Sequence, residues 1–187
     1  MRSKLDGVVL TVLGFSGVKI PNPDLALKAL RTKFVDSQVQ IVRADRVAGL
    51  EHLSFATENA VKAVERGRGR SRSVAMETLL FIAGERQISK AVETLGATSQ
   101  TRDIAITILS KEPLNEDEIT ASVQSILGGK RQDSVIDIGS SKKIRELCRT
   151  YRISSEEFDA GQLPSERADS LIKRLILERS ALLSTGT

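Results

Sequence analysis

The sequence predicts an α/β protein, a small mixed sheet of three to four strands packed with about six to eight helices in a single domain over residues 1–187. Three observations carry that expectation. Short β-branched runs at 8–15, 39–44 and 103–110 are separated by stretches whose apolar residues recur every three or four positions. At 187 residues, 40% of them hydrophobic, the chain has ordinary single-domain size and can bury one sizeable core. Strand, helix and strand follow one another at the start, an order that favours a parallel crossover.

Residues 8–15 read as a strand buried on both faces, since they are apolar without alternation. After Pro21-Asn22-Pro23 a helix begins near Asp24 and runs to about Lys33, followed by a strand at 39–44. Asp45 is placed to cap a long helix over 46–66, with Leu50, Leu53, Thr57, Ala60 and Val64 as its inward stripe and His52 and Phe55 on another face. Arg66-Gly-Arg-Gly-Arg-Ser-Arg72 is an internal Arg/Gly-rich loop, because two glycines interrupt the helical pattern. Ser73 caps a short helix, apolar all round, to Ala83, where Gly84 stops it; a second helix over 87–95 ends at Gly96. Glu77, in that nearly buried helix, is expected to pair with a cation or a backbone donor.

Residues 103–110 form the third strand, and 115–127 a helix closed by Gly128-Gly129. The segment 130–141 is ambiguous, and within it Ser134-Val-Ile-Asp-Ile138 fits either a short edge strand or a helix start. Ser140 and Ser141 cap a helix through Cys148, Ser154 or Ser155 opens another turn, and the last helix covers 165–183, with residues 184–187 a disordered tail. That last helix is apolar on more than one face. Either two layers of the domain sandwich it or part of it awaits a partner.

Composition excludes several functions. No apolar run approaches the roughly 18 to 20 residues that cross a bilayer, and the first 15 residues contain no small-residue cleavage site, so the chain is expected to be soluble, cytoplasmic and without membrane contact. Cys148 and His52 are the only residues of their types, which leaves no internal disulfide, no metal site of nitrogen and sulfur ligands and no implied cofactor. The formal charge of +4 permits a polyanionic partner, while the scarcity of aromatics argues against a base-stacking sheet. No nucleophile elbow, P-loop or His-Glu-x-x-His motif occurs, and no catalytic residue is assigned.

The run from Glu77 to Ile88, Glu-Thr-Leu-Leu-Phe-Ile-Ala-Gly-Glu-Arg-Gln-Ile, followed by Ala91 and Leu95-Gly96, resembles the core of the KEOPS (EKC) kinase-binding subunits, the PRPK-binding protein family. Residues 44–60 and 177–183 are similar to that family as well, whereas 66–72 is more basic than its pattern and 128–164 matches loosely. The resemblance implies a small, non-catalytic α/β subunit of the complex that installs threonylcarbamoyl on the adenosine beside the anticodon of tRNAs reading ANN codons. Such a subunit binds and stimulates the small kinase-like ATPase subunit, meets the other KEOPS subunits indirectly and, in archaeal complexes, helps recruit tRNA through its 3′ CCA end. On that basis Ile176, Leu182 and Leu183, with Phe55, are assigned to the kinase contact. Arg66, Arg68, Arg70 and Arg72, with Arg86 and Lys90, are assigned to tRNA, although Arg86 could instead tie a helix end inside the fold. A stand-alone RNA-binding protein and a small-molecule-binding α/β enzyme are the alternatives.

Overall fold

The strongest strand sequence takes the most enclosed place in the fold. β4 (Ile104–Ser110) is buried at every residue and lies between β2 (Val8–Ser16) and β3 (Gln38–Arg43) in the order β1-β2-β4-β3, with β1 (Arg2–Leu5) outermost. The two-residue β5 (Lys130–Arg131) also pairs with β2. A computed structural model describes residues 1–5, 7–161, 163 and 166–185, and among these the α/β class holds, with a five-stranded sheet and eight α-helices. Every pairing is antiparallel. β2 and β3 therefore run the same way, joined through α1 (Pro23–Lys33), yet never pair because β4 is inserted between them.

Both faces of the sheet are covered, which is why its central strands carry apolar residues without alternation. On one face Leu13, Phe15, Ile41 and Ile106 meet Leu30 of α1 and Ile119 and Val123 of α5 (Glu116–Leu127). On the other, Leu10, Val12 and Val42 meet Leu53 and Ala60 of α2 (Leu50–Glu65), Leu80 of α3 (Val74–Ala83) and Ala91 of α4 (Ile88–Leu95). Outside α2 and α3 lies a further layer of α6 (Ser141–Thr150), α7 (Ser155–Gly161) and α8 (Ala168–Thr185). Residues 184–185 continue α8, so the expected tail begins inside the helix; 186–187 lie outside the described residues, as does the expected start of α8 at 165.

The long helix starts later than expected. Residues 44–46 make a single 3-10 turn, and the Asp45 carboxylate is taken by the Arg43 guanidinium at 2.8 and 3.2 Å instead of capping a helix. Gly49 then adopts φ +92, a conformation that disfavours any side chain, and α2 begins at Leu50.

His52, expected on a second face, is wholly buried. Its Nδ1 accepts the Ala48 N–H at 3.2 Å, which leaves Nε2 to donate to the Ile82 carbonyl at 3.1 Å. Tyr151, at the end of α6, sets its ring edge-on to His52 with centroids 5.7 Å apart, and its hydroxyl lies 2.9 Å from both the Arg46 and the Ile82 carbonyls. The lone histidine is therefore a structural group of the core.

Burial pushes the His52 pKa down to about 4, so the fold requires the neutral ring. Since the unfolded ring titrates near 6.5, its contribution to stability is intact above that pH and drains away as pH falls toward 4, for a loss on the order of 3 kcal/mol. Urea unfolding followed from pH 7.5 to pH 4 is expected to show this decline. His52→Leu, less stable at neutral pH because the Ala48 N–H loses its acceptor and the Ile82 carbonyl keeps only the Tyr151 hydroxyl, is expected to lack that part of the pH dependence.

Candidate protein and nucleic-acid interfaces

The residues assigned to the protein partner divide between core and surface. Ile176 is fully buried with Leu171, Ile172 and Leu175 against Leu147, Tyr151 and Ile153, and Leu183 is buried against the α2–α3 layer. Neither is available to a docking chain. α8 is sandwiched over these faces, which is why its pattern looked too widely apolar for one core. Leu182, by contrast, is 63% exposed, and Phe55 is half-buried at the rim.

Phe55 faces a groove of about 510 Å³ between α2 and α8, where half-buried Leu177 and Ala181 form the apolar floor. Charged pairs border it. Lys173 meets Glu51 at 3.2 Å, and Arg174 bridges Glu178 at 3.3 Å and Glu166 at 3.1 Å. An apolar strip between compensated charges suits a protein partner better than a polyanion. Leu177 and Ala181 were missed as contact residues because they lie in the same helical pattern as buried neighbours. A second apolar ridge, Ile88 and Val92 on α4, is 41% and 45% exposed, whereas Ala91 and Leu95 of the same helix are buried.

The six basic residues assigned to RNA are all exposed, and none of their side chains forms a hydrogen bond or ion pair with a described residue. Arg86 therefore ties no helix end. The structure separates the six into two groups. Arg66 to Arg72 lie before the first turn of α3, whereas Arg86 and Lys90 lie beyond its far end, about 15 Å away for a ten-residue helix.

A third basic feature was not legible in the sequence, because its charged residues come from three separated segments. A cleft of about 640 Å³ at one end of the sheet is lined by Arg43, Arg102, Lys142, Lys143, Arg145 and Arg149, against Asp45, Asp103 and Glu146. Several of these charges are committed: Arg43 to Asp45, Arg149 to Glu146 at 2.8 Å, and Lys143 to the carbonyls of Val135 and Ile136 at 2.8 and 2.7 Å. Burial draws the Lys143 amine down to about 8 against the opposing pull of Asp137, Asp45 and Asp103. Lys142 and Arg145 are exposed beside the N-terminus of α6, which Ser140 caps through the Lys143 N–H at 3.2 Å. Those two side chains and the helix end present positive charge to the cleft.

Among the described residues no group of three or more His, Cys, Asp or Glu side chains could hold a metal ion, and no helix is long and apolar enough to cross a membrane.

Comparison with known proteins adds two findings. Residues 19–184 match the family model described as kinase binding protein CGI-121. A curated protein of Methanocaldococcus jannaschii, "Regulatory protein Cgi121", is 28% identical over 142 residues, covering 75% of this chain and 84% of that protein.

Core and surface positions on α8 are separable by mutation. Ile176→Glu buries an unpaired charge and is expected to abolish folding or lower Tm by more than about 10 °C, while Leu182→Glu stays within about 2 °C of wild type in a thermal melt.

Proposed function

The chain belongs to the CGI-121 family of kinase-binding proteins, and from that premise we propose that it is a cytoplasmic, non-catalytic KEOPS subunit that regulates the small kinase-like ATPase and helps recruit tRNA for threonylcarbamoylation. The family match over residues 19–184 is the observation that carries the kinase-binding reading. The α2–α8 groove is the surface that supports it best: Phe55, Leu177 and Ala181 supply an apolar strip, with Leu182 on an adjoining face of the same helix.

Support for the RNA role is electrostatic. Four arginines in seven residues, together with Arg86 and Lys90 and with Lys142 and Arg145 at the α6 cleft, are exposed cations on three parts of the surface without acidic partners among the described residues. Such side chains suit phosphates, and guanidinium planes can stack on unpaired bases at an RNA end where aromatic residues are lacking.

Co-purification with the small kinase subunit tests the first role. Leu177→Glu, which places a charge in the groove, is expected to reduce binding at least about 30-fold, the effect of losing an interface anchor worth about 2 kcal/mol. Unchanged recovery of the kinase contradicts the groove assignment. A salt series of tRNA binding tests the second role: Arg68→Ala/Arg70→Ala and Lys142→Ala/Arg145→Ala are each expected to weaken binding and flatten the salt dependence. Equal affinities for wild type and both variants contradict it, and RNA binding without kinase recovery favours the stand-alone RNA-binding alternative.

A further inference from the structure

We propose that Glu77 is a positioning residue: it clamps the 66–72 loop so that four arginines meet RNA as a preformed array. This rests on reading that loop as an RNA contact. Glu77 is fully buried in the first turn of α3. Its Oε2 accepts the Ser71 N–H at 2.8 Å, while Oε1 is buried with no hydrogen-bond partner among the described residues. A carboxylate held this way is expensive to bury, and its one bond falls on the backbone between Arg70 and Arg72.

The remainder of the loop is built to be held. At its start the Gly67 and Arg68 N–H groups return to the Val64 and Ala63 carbonyls at 3.0 and 2.8 Å, closing α2. At its end the Ser73 N–H donates to Ser71 Oγ at 3.1 Å, and Ser73 Oγ caps α3 through the Met76 N–H at 3.4 Å. Between these ties Gly69 sits so close that a Cβ there would lie 2.8 Å from the Ser71 carbonyl and 3.2 Å from Val64 Cγ2. The loop therefore folds back on itself and on α2, its ends are tied locally, and Glu77 supplies its connection to the protein interior. The arginines alternate along this backbone at 66, 68, 70 and 72, exposed and free of ion pairs with described residues. Fixing the backbone removes part of the ordering entropy that RNA binding would otherwise cost, without consuming any arginine charge.

The test compares Glu77→Ala with Glu77→Gln, which remove the same charge but differ in whether an oxygen remains to accept the Ser71 N–H. Two quantities are read: the rate of trypsin cleavage within 66–72, and the affinity for an unmodified tRNA transcript at several salt concentrations. Glu77→Ala is expected to speed cleavage about tenfold or more and to weaken tRNA binding several-fold, with the salt slope unchanged because every loop arginine remains. Glu77→Gln is expected to restore both toward wild type. If Glu77→Ala does not fold, Ser71→Pro removes the same bond from the donor side and is judged by the same two measurements. A folded variant with wild-type cleavage overturns the clamp, and faster cleavage with unchanged tRNA affinity overturns the positioning role. Arg68→Ala/Arg70→Ala, measured alongside, separates the causes: if it too leaves tRNA binding intact, the loop is not the RNA contact, whatever the clamp does.

Discussion

One backbone carbonyl, that of Ile82, holds the two helical layers in register. It receives the His52 ring from α2 and the Tyr151 hydroxyl from the end of α6, while His52 also takes the Ala48 N–H and Tyr151 also reaches the Arg46 carbonyl. The start of α2, the last turn of α3 and the end of α6 are thereby joined at a point from which water is excluded. Buried polar groups are costly unless each is satisfied, so the node selects one arrangement of these helices and penalises every other. Its further consequence is the position of α8, which packs over α2, α3 and α6 and leaves Leu177 and Ala181 at the groove.

The central strands and most helices were legible in the sequence, because burial on both faces leaves continuous β-branched runs and caps such as Ser73 and Ser140 announce themselves. β1 and β5 were not. Arg2-Ser-Lys-Leu5 and Lys130-Arg131 are polar edge segments whose strand character comes from the free edge of β2 rather than from their own residues. The start of α2 was misplaced for a related reason: Asp45 is a good cap by type, but Arg43 two residues away captures its carboxylate. His52 looked misaligned with the inward stripe because the stripe was drawn from apolar residues, whereas the buried face of α2 includes a polar side chain with two backbone partners.

Sites were less legible than elements. Helical periodicity shows that α8 has several apolar faces but not which are covered, so Ile176 and Leu183 were grouped with Leu182 although only Leu182 reaches solvent. The exposed arginines of 66–72 could be read directly, since a Gly-interrupted run of cations has no core to enter. The α6 cleft could not, because Arg43, Arg102 and Lys142 converge only after the sheet and α6 are assembled. The protein thus keeps its two kinds of surface apart: charge-compensated and apolar along α2 and α8, cationic around α3 and α6.

The central claim is that a kinase docks on the α2–α8 face, and hydrogen–deuterium exchange with and without the small kinase subunit tests it most directly. Slowed exchange is expected within α2 and α8 around Phe55, Leu177 and Ala181, with the 66–72 loop unchanged until tRNA is added. Protection confined to the α1–α5 face, or no protection along α2 and α8 in a complex shown to have formed, would contradict it.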